Sequence, residues 1–244
     1  MLDDLQEAKD AKLTRLAQAI RHAGMGVGFA AFAENMFRYA APEDLEHLTH
    51  DDLYALATRA FDKLKFRTPG VPLVEVFDGA DVNVAEDGNI PITIIETFGD
   101  DMAFLFGSIK NEIQAQGHTI HLVVHPSVSV DRADDGNLVR FQGPAKHGDG
   151  LQHESLIHIH IDLVDEPERR QALMDGIAKV QTDVGLATAD FEPMRARLRE
   201  AIEGLKVADV QVPAASFQEA VAFLEAMEAG DFVLTGMREH RLDG

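Results

Sequence analysis

Apolar side chains recur at helical spacing up to about Lys65, and from Val71 the period shortens to that of a strand, a switch that narrows the possible folds sharply. The segments VPLVEVFD and IPITIIETF are short, β-branched runs separated by the turn-rich ADVNVAEDGN. Residues 100–117, DDMAFLFGSIKNEIQAQG, return to helical spacing with Met102, Leu105, Phe106, Ile109 and Ile113 on one side, an Asp at the entry and Gly117 at the exit. HTIHLVVHPSVSVDR then alternates as a strand, ADDGN turns the chain into LVRFQG, and ESLIHIHIDLV alternates again after a Gly-rich loop. Pro167 opens a second helix striped by Leu173, Ile177, Val180 and Val184. The expected fold is therefore α+β: a βαββα run with helices on one face of a mainly antiparallel sheet, flanked by further helices.

Ahead of the sheet, Leu13, Leu16, Ala17 and Ile20 stripe a first helix that Gly24 ends. A helix opened by Thr49, with Asp52 three residues on, carries Leu53, Leu56, Ala57, Ala60 and Leu64. Behind the sheet, one helix follows Asp190 with Met194, Leu198 and Ile202, and another is expected from Ser216, with Glu219 completing a capping box. The tail DFVLTGMREHRLDG has strand character. The division predicted is 1–70 helical, 71–187 α+β, 188–230 helical, and 231–244 the first strand of a following module.

Charge limits the partners. Twenty-two Lys and Arg against 42 Asp and Glu leave a formal charge of −20, which repels phosphate backbones and anionic membranes. With 45% hydrophobic and 26% charged residues, the chain lies in the globular range. Having no cysteine, it forms no disulfide, thiolate metal site or cysteine nucleophile. The acidic start LDDLQEAKDAK is unlike a secretory signal, so a cytoplasmic setting is expected.

Two clusters carry candidate chemistry. In HTIHLVVH, alternation sends Ile120, Leu122 and Val124 one way and His121, Val123 and His125 the other. In ESLIHIHID it places Ile157, Ile159 and Ile161 in the core and His158 and His160 opposite. If the strands are neighbours, His121, His125, His158 and His160 gather on a helix-free face, as a contact surface for a second subunit or module, or as zinc ligands. Paired carboxylates at Asp51-Asp52, Asp100-Asp101 and Asp134-Asp135 adjoin turns and helix starts, where short acceptors satisfy free amides. Gly24, Gly26 and Gly28 follow a helix rather than a strand and mark a helix break, and the strings GxxxxGK[ST], GxSxG and HExxH do not occur.

ETFGDDMAFLFGSIKNEIQAQGHTI resembles the signature of ACT-type regulatory domains. Together with FAENMFRYAAPEDLEHLTHDDLYALATRAFDKLKFRTPG, HTIHLVVHPSVSV, ESLIHIHID and DFVLTGMREHRL, it looks like the N-terminal segment of the large bacterial NAD-specific glutamate dehydrogenases, from about Phe29 onward. The resemblance implies a non-catalytic regulatory or assembly segment of a much longer homo-oligomeric enzyme that oxidises L-glutamate to 2-oxoglutarate and ammonia. No cofactor is expected in this segment, NAD being bound elsewhere in the full-length enzyme, and no catalytic residue or metal ligand carries over. Effector-binding ACT domains place a Gly at the first strand–helix turn, whereas this turn is Asp100-Asp101-Met102-Ala103, the candidate effector-binding residues. The usual fourth strand after the second helix is missing, and VPLVEVFD fills that edge. Two other readings stay open: a stand-alone amino-acid sensor using the Asp100 turn, and a histidine-metal hydrolase on the sheet face.

Overall fold

The computed structural model describes residues 2–68, 70–82, 84, 86–87, 90–146, 150–208, 211–230, 232, 234, 236–238 and 240. The chain forms two compact units, Met1–Thr182 and Asp183–Gly244.

The first unit opens with α1 (Leu2–His22), α2 (Val27–Phe37) and α3 (His50–Leu64). The expected stripes are its core: Leu16 and Ile20 on α1, and Leu53, Leu56, Ala57, Ala60 and Leu64 on α3, are all buried. Thr49 caps α3 in a complete capping box with Asp52. The irregular stretch between α2 and α3 is held from α1. Lys9 donates to the carbonyls of Arg38 and Ala40, and Lys12 to those of Leu45 and Leu48, at 2.7–3.0 Å. Partial burial lowers the Lys12 pKa, with Glu46 and Asp52 opposing the shift.

The sheet comprises β1 (Leu73–Asp78), the two-residue β2 (Glu86–Asp87), β3 (Ile90–Asp100), β4 (Ile120–Val124), β5 (Ser127–Arg132), β6 (Leu138–Pro144) and β7 (Gln152–Asp162). Every pairing is antiparallel, and the order is β1-β3-β7-β5-β6 with β2 on β3 and β4 on β7. β1 thus occupies the edge beside β3, as VPLVEVFD was expected to do. HTIHLVVHPSVSVDR runs along one edge of β7 as two strands, interrupted at His125-Pro126, because proline has no amide to donate.

The helices do not keep to one face. α4 (Leu105–Ala115) and α5 (Pro167–Ala189) cover one side, where Ile95, Ile157, Ile159 and Ile161 are buried together with Leu105, Ile109, Ile113, Leu173 and Ile177. α1–α3 share a single core with the other side, through Ile92, Ile94, Phe98, Leu122, Val124 and Leu156. The expected bare face is therefore covered by the chain's own N-terminal helices. The one trace of this in the sequence is Ile95 beside Ile94 in IPITIIETF, which puts an isoleucine on each face of the strand.

Two boundaries also differ. Asp100 ends β3 rather than entering a helix; α4 starts at Leu105 after Phe104, a non-glycine residue at φ 68°. α4 and α5 approach closely at Gly176, where a Cβ would lie 2.4 Å from Glu112 Oε1.

In the second unit, α6 (Phe191–Val207) buries Met194, Leu198 and Ile202. α7 (Ala214–Ala229) begins after Pro213, so Ser216 lies inside the helix and opens no capping box. Arg195 bonds Glu228, and Lys206 lies 3.0 Å from Glu225, tying the two helices together. The expected strand at 231–244 falls largely outside the described residues, and those described there carry no strand.

Leu56→Ala removes a fully buried side chain from the shared core and is expected to destabilise the first unit by about 2–5 kcal/mol in urea unfolding. Thr49→Ala, which breaks only the cap, should cost about 1 kcal/mol.

Candidate functional site

Between α3 and the sheet, the apolar core is interrupted by charge. On β3 and β7 the residues facing α1–α3 are even-numbered, and the register sets Glu96 opposite His158, Ile94 opposite His160, and Asp100 opposite Glu154. Glu96, His158 and His160 are completely buried. His158 Nδ1 lies 2.9 Å from Glu96 Oε1, and His158 Nε2 lies 2.9 Å from His160 Nε2, with the two rings nearly edge-on. From α3, Arg59 and Lys63 stand four residues apart on one face, and both donate to Glu75 of β1. The Arg59 guanidinium sits 3.7 Å over the Phe77 ring, and its Nε is 3.6 Å from Glu96 Oε2.

A second ionic group closes the C-terminal end of α3. Arg132 of β5 makes a two-pronged contact with Glu154, Nε to Oε1 at 2.6 Å and Nη2 to Oε2 at 2.7 Å. The same guanidinium donates to the carbonyls of Gly136 and Leu64, so it also caps α3. Arg67, just beyond the helix, donates to Asp100 Oδ1 at 2.6 Å, with its Nε 3.3 Å from Glu154 Oε1. Arg67, Arg132 and Glu154 are nearly inaccessible, at side-chain exposures of 4%, 5% and 2%. Burial of this depth makes pairing obligatory, because an uncompensated buried charge costs several kcal/mol.

The candidate effector turn is thus partly committed within the chain. Asp100 is held by Arg67; the Asp101 amide donates to the carbonyl of His153 while its side chain is exposed; Met102 and Ala103 form the turn into α4.

The four histidines do not gather on one face. His158 and His160 face α3, whereas His125 stacks on Phe106 of α4, ring centroids 5.0 Å apart, and its Nε2 lies 2.8 Å from Ser155 Oγ. Leu122 and Val124 pair with His160 and His158 and share their face, and His121 falls at an irregularity between Ile120 and Leu122. Alternation within each strand did not reveal the pairing register, which placed the two histidine pairs on opposite sides. Burial lowers the His125 pKa below the ordinary imidazole value, with Asp101 opposing the shift. His121 lines an open groove of about 660 Å³ with Lys110, Gln114 and His118, and its Nε2 is buried without a hydrogen-bond partner. Among the described residues, no group of three or more His, Asp or Glu is arranged to hold a metal ion.

Sequence reasoning missed Arg59, Arg67, Glu96, Arg132 and Glu154. Glu96 has the parity of Ile92, Ile94 and Phe98, and that placement on an otherwise apolar strand face was the available signal.

The family described as glutamate dehydrogenase, ACT1 domain, matches residues 32–177, a span that contains α3, the whole sheet and α4. The NAD-specific glutamate dehydrogenase of Halomonas elongata is 30% identical over 211 residues, covering 85% of this chain and 13% of that relative. The NAD-specific glutamate dehydrogenase of Pseudomonas aeruginosa is 28% identical over 209 residues, with the same 85% and 13% coverage. The chain thus spans about an eighth of the length of these curated relatives. No solved structure matches it.

Glu154→Ala strands Arg132 and Arg67 in the core and is expected to cost about 3–5 kcal/mol in denaturant unfolding, whereas Lys65→Ala, at an exposed pair with Asp62, should change stability by less than about 1 kcal/mol. For His125, the depressed pKa means that the folded protein binds fewer protons than the unfolded chain just below the imidazole range. Its contribution to stability is whole above about pH 6.5 and is lost as the pH falls from there through the lowered folded value. His125→Gln should flatten that part of the stability–pH curve, and ring NMR should show His125 titrating below a free imidazole.

Proposed function

Since the chain belongs to the glutamate dehydrogenase ACT1-domain family, we propose that it is a non-catalytic regulatory or assembly segment of a large NAD-dependent glutamate dehydrogenase. The observation that carries this reading is the pairing of a match over residues 32–177 with a share of only 13% of the relatives' length. Oxidation of L-glutamate to 2-oxoglutarate and ammonia, and the NAD that accepts the hydride, then belong to the remainder of such a polypeptide. The buried charges support a structural use of the polar residues here. Glu96, Glu154, Arg67 and Arg132 are engaged with one another or with neighbours that fix α3 on the sheet.

The partners proposed are other modules of the same long chain and further copies of it, in a cytoplasmic setting. α7 supports an assembly role: eleven of its sixteen residues are apolar, none is buried, and Phe223 is half exposed. Among the described residues, no helix is long and apolar enough to cross a membrane.

A second reading, an amino-acid sensor, rests on the exposed Asp101 carboxylate beside the turn into α4. Calorimetry against the common amino acids separates the two: heat that disappears in Asp101→Ala supports the sensor, and silence across the panel retires it.

The isolated chain, supplied with L-glutamate and NAD, is expected to produce no NADH above the blank by absorbance; turnover would overturn the non-catalytic reading. Light scattering should show self-association that weakens in Phe223→Ser, and a strict monomer at high concentration would remove self-assembly from the proposal.

A further inference from the structure

The two edges of the sheet differ in how they are closed. At the β6 edge the Leu138 amide donates to the Lys65 carbonyl, β6 slips register twice against β5, and the strand ends in Gly143-Pro144. Such features stop a further strand from joining. β1 has none of them. It pairs with β3 in unbroken register from Leu73 to Asp78, with no glycine, proline or lysine inside it.

The alternation of the ladder shows which backbone groups β1 leaves over. Pro91 of β3 accepts from Leu163, and just beyond the strand the Asp101 amide donates to His153, so the odd residues of β3 bond toward β7 and the even ones toward β1. Their partners on β1 are Leu73, Glu75 and Phe77, whose N–H and C=O are therefore used inside the sheet. Val74, Val76 and Asp78 turn theirs outward. The Asp78 amide is taken by the Asp81 carboxylate. Among the described residues, nothing bonds the outward groups of Val74 and Val76.

The side chains along this edge select its occupant. In an antiparallel pairing of two β1 strands about a two-fold axis at Val76, each Val76 exchanges N–H and C=O with the partner's Val76. Val74 then lies across from the partner's Asp78, and Glu75 across from the partner's Phe77. No acid faces an acid. The Arg59 guanidinium sits 3.7 Å over the Phe77 ring and already bonds Glu75 of its own copy, so the glutamate arriving beside that ring meets a cation. Centring the axis on Glu75 instead sets two carboxylates face to face.

We propose that β1 is a dimerisation edge: the β1 strands of two copies of this chain pair antiparallel about Val76 and continue the sheet from one copy into the other. β1 belongs to the first unit and α7 to the second, so this contact is separate from the one proposed for α7, and it rests on ladder geometry rather than on the family assignment. Each copy carries a formal charge of −20, so the pairing strengthens as added salt screens the repulsion.

The test uses the whole 244-residue chain, which has no cysteine, so one introduced thiol reports on one position. In the paired strands the two Val76 Cα atoms lie about 5.5 Å apart, within disulfide range, whereas the two Val74 Cα atoms lie about 14 Å apart. Oxidised with diamide at raised salt, Val76→Cys is expected to form a disulfide-linked dimer at least about tenfold faster than Val74→Cys. Equal rates, a faster Val74→Cys, or no link in either overturns the pairing. Val76→Pro removes an outward N–H and no bond to β3, and should raise the dimer Kd at least about tenfold in sedimentation equilibrium. An unchanged Kd overturns the proposal. Should Val76→Pro fail to fold, the two thiol variants decide alone, since neither loses a backbone group. The Val76→Cys link should form equally fast with Phe223→Ser added. Association that weakens in Phe223→Ser while no link forms at Val76 keeps the α7 reading and overturns this one.

Discussion

Glu96 and Glu154 lie near the middle of a sheet that has helices on both faces, and the constraint they impose organises the first unit. A carboxylate without water needs a cation and hydrogen-bond donors close by. Those partners come from elements far apart in sequence: Arg59 from α3, Arg67 from the segment after it, Arg132 from β5, and His158 from β7. Satisfying the two acids therefore fixes where α3 ends and which of its faces meets the sheet.

Apolar burial alone would not specify that placement as sharply. The stripe Leu53, Leu56, Ala57, Ala60 and Leu64 drives α3 onto the core, but side chains of similar size tolerate a shift by a residue or a small rotation. The ionic contacts do not. Moving α3 by one residue separates Arg59 and Lys63 from Glu75 and withdraws the Leu64 carbonyl from Arg132. The net energy of such buried pairs is small against apolar replacements, so their physical contribution is to the register of docking.

This arrangement also explains how a regulatory-domain topology is elaborated here. The βαββα run places α4 and α5 on one face in the manner of ACT-type domains, and β1 supplies the strand that would otherwise follow α5. The second face, which a minimal module of this kind leaves available, is taken by α1–α3 in a common hydrophobic core. The family match begins inside α2 and so includes the helix that carries Arg59 and Lys63.

The sequence by itself determined the local elements, because periodicity, caps and turn residues act over a few positions. The α3 stripe and its Thr49 cap, the hairpin at Asp134-Asp135-Gly136 and the core positions of α6 were all legible in this way, whereas HTIHLVVHPSVSVDR, read as one strand, is divided at Pro126. The order of elements also carried the family resemblance. What only the tertiary structure decided was the pairing across strands and the covering of the second face. Alternation shows which residues of one strand share a side, but it does not tell that side from the other until the register and the neighbouring helices are known. That is why His158 and His160 lie buried against Glu96 while His125 lies across the sheet against Phe106, and why the acids that fix α3 could be recognised only once their distant partners were in place.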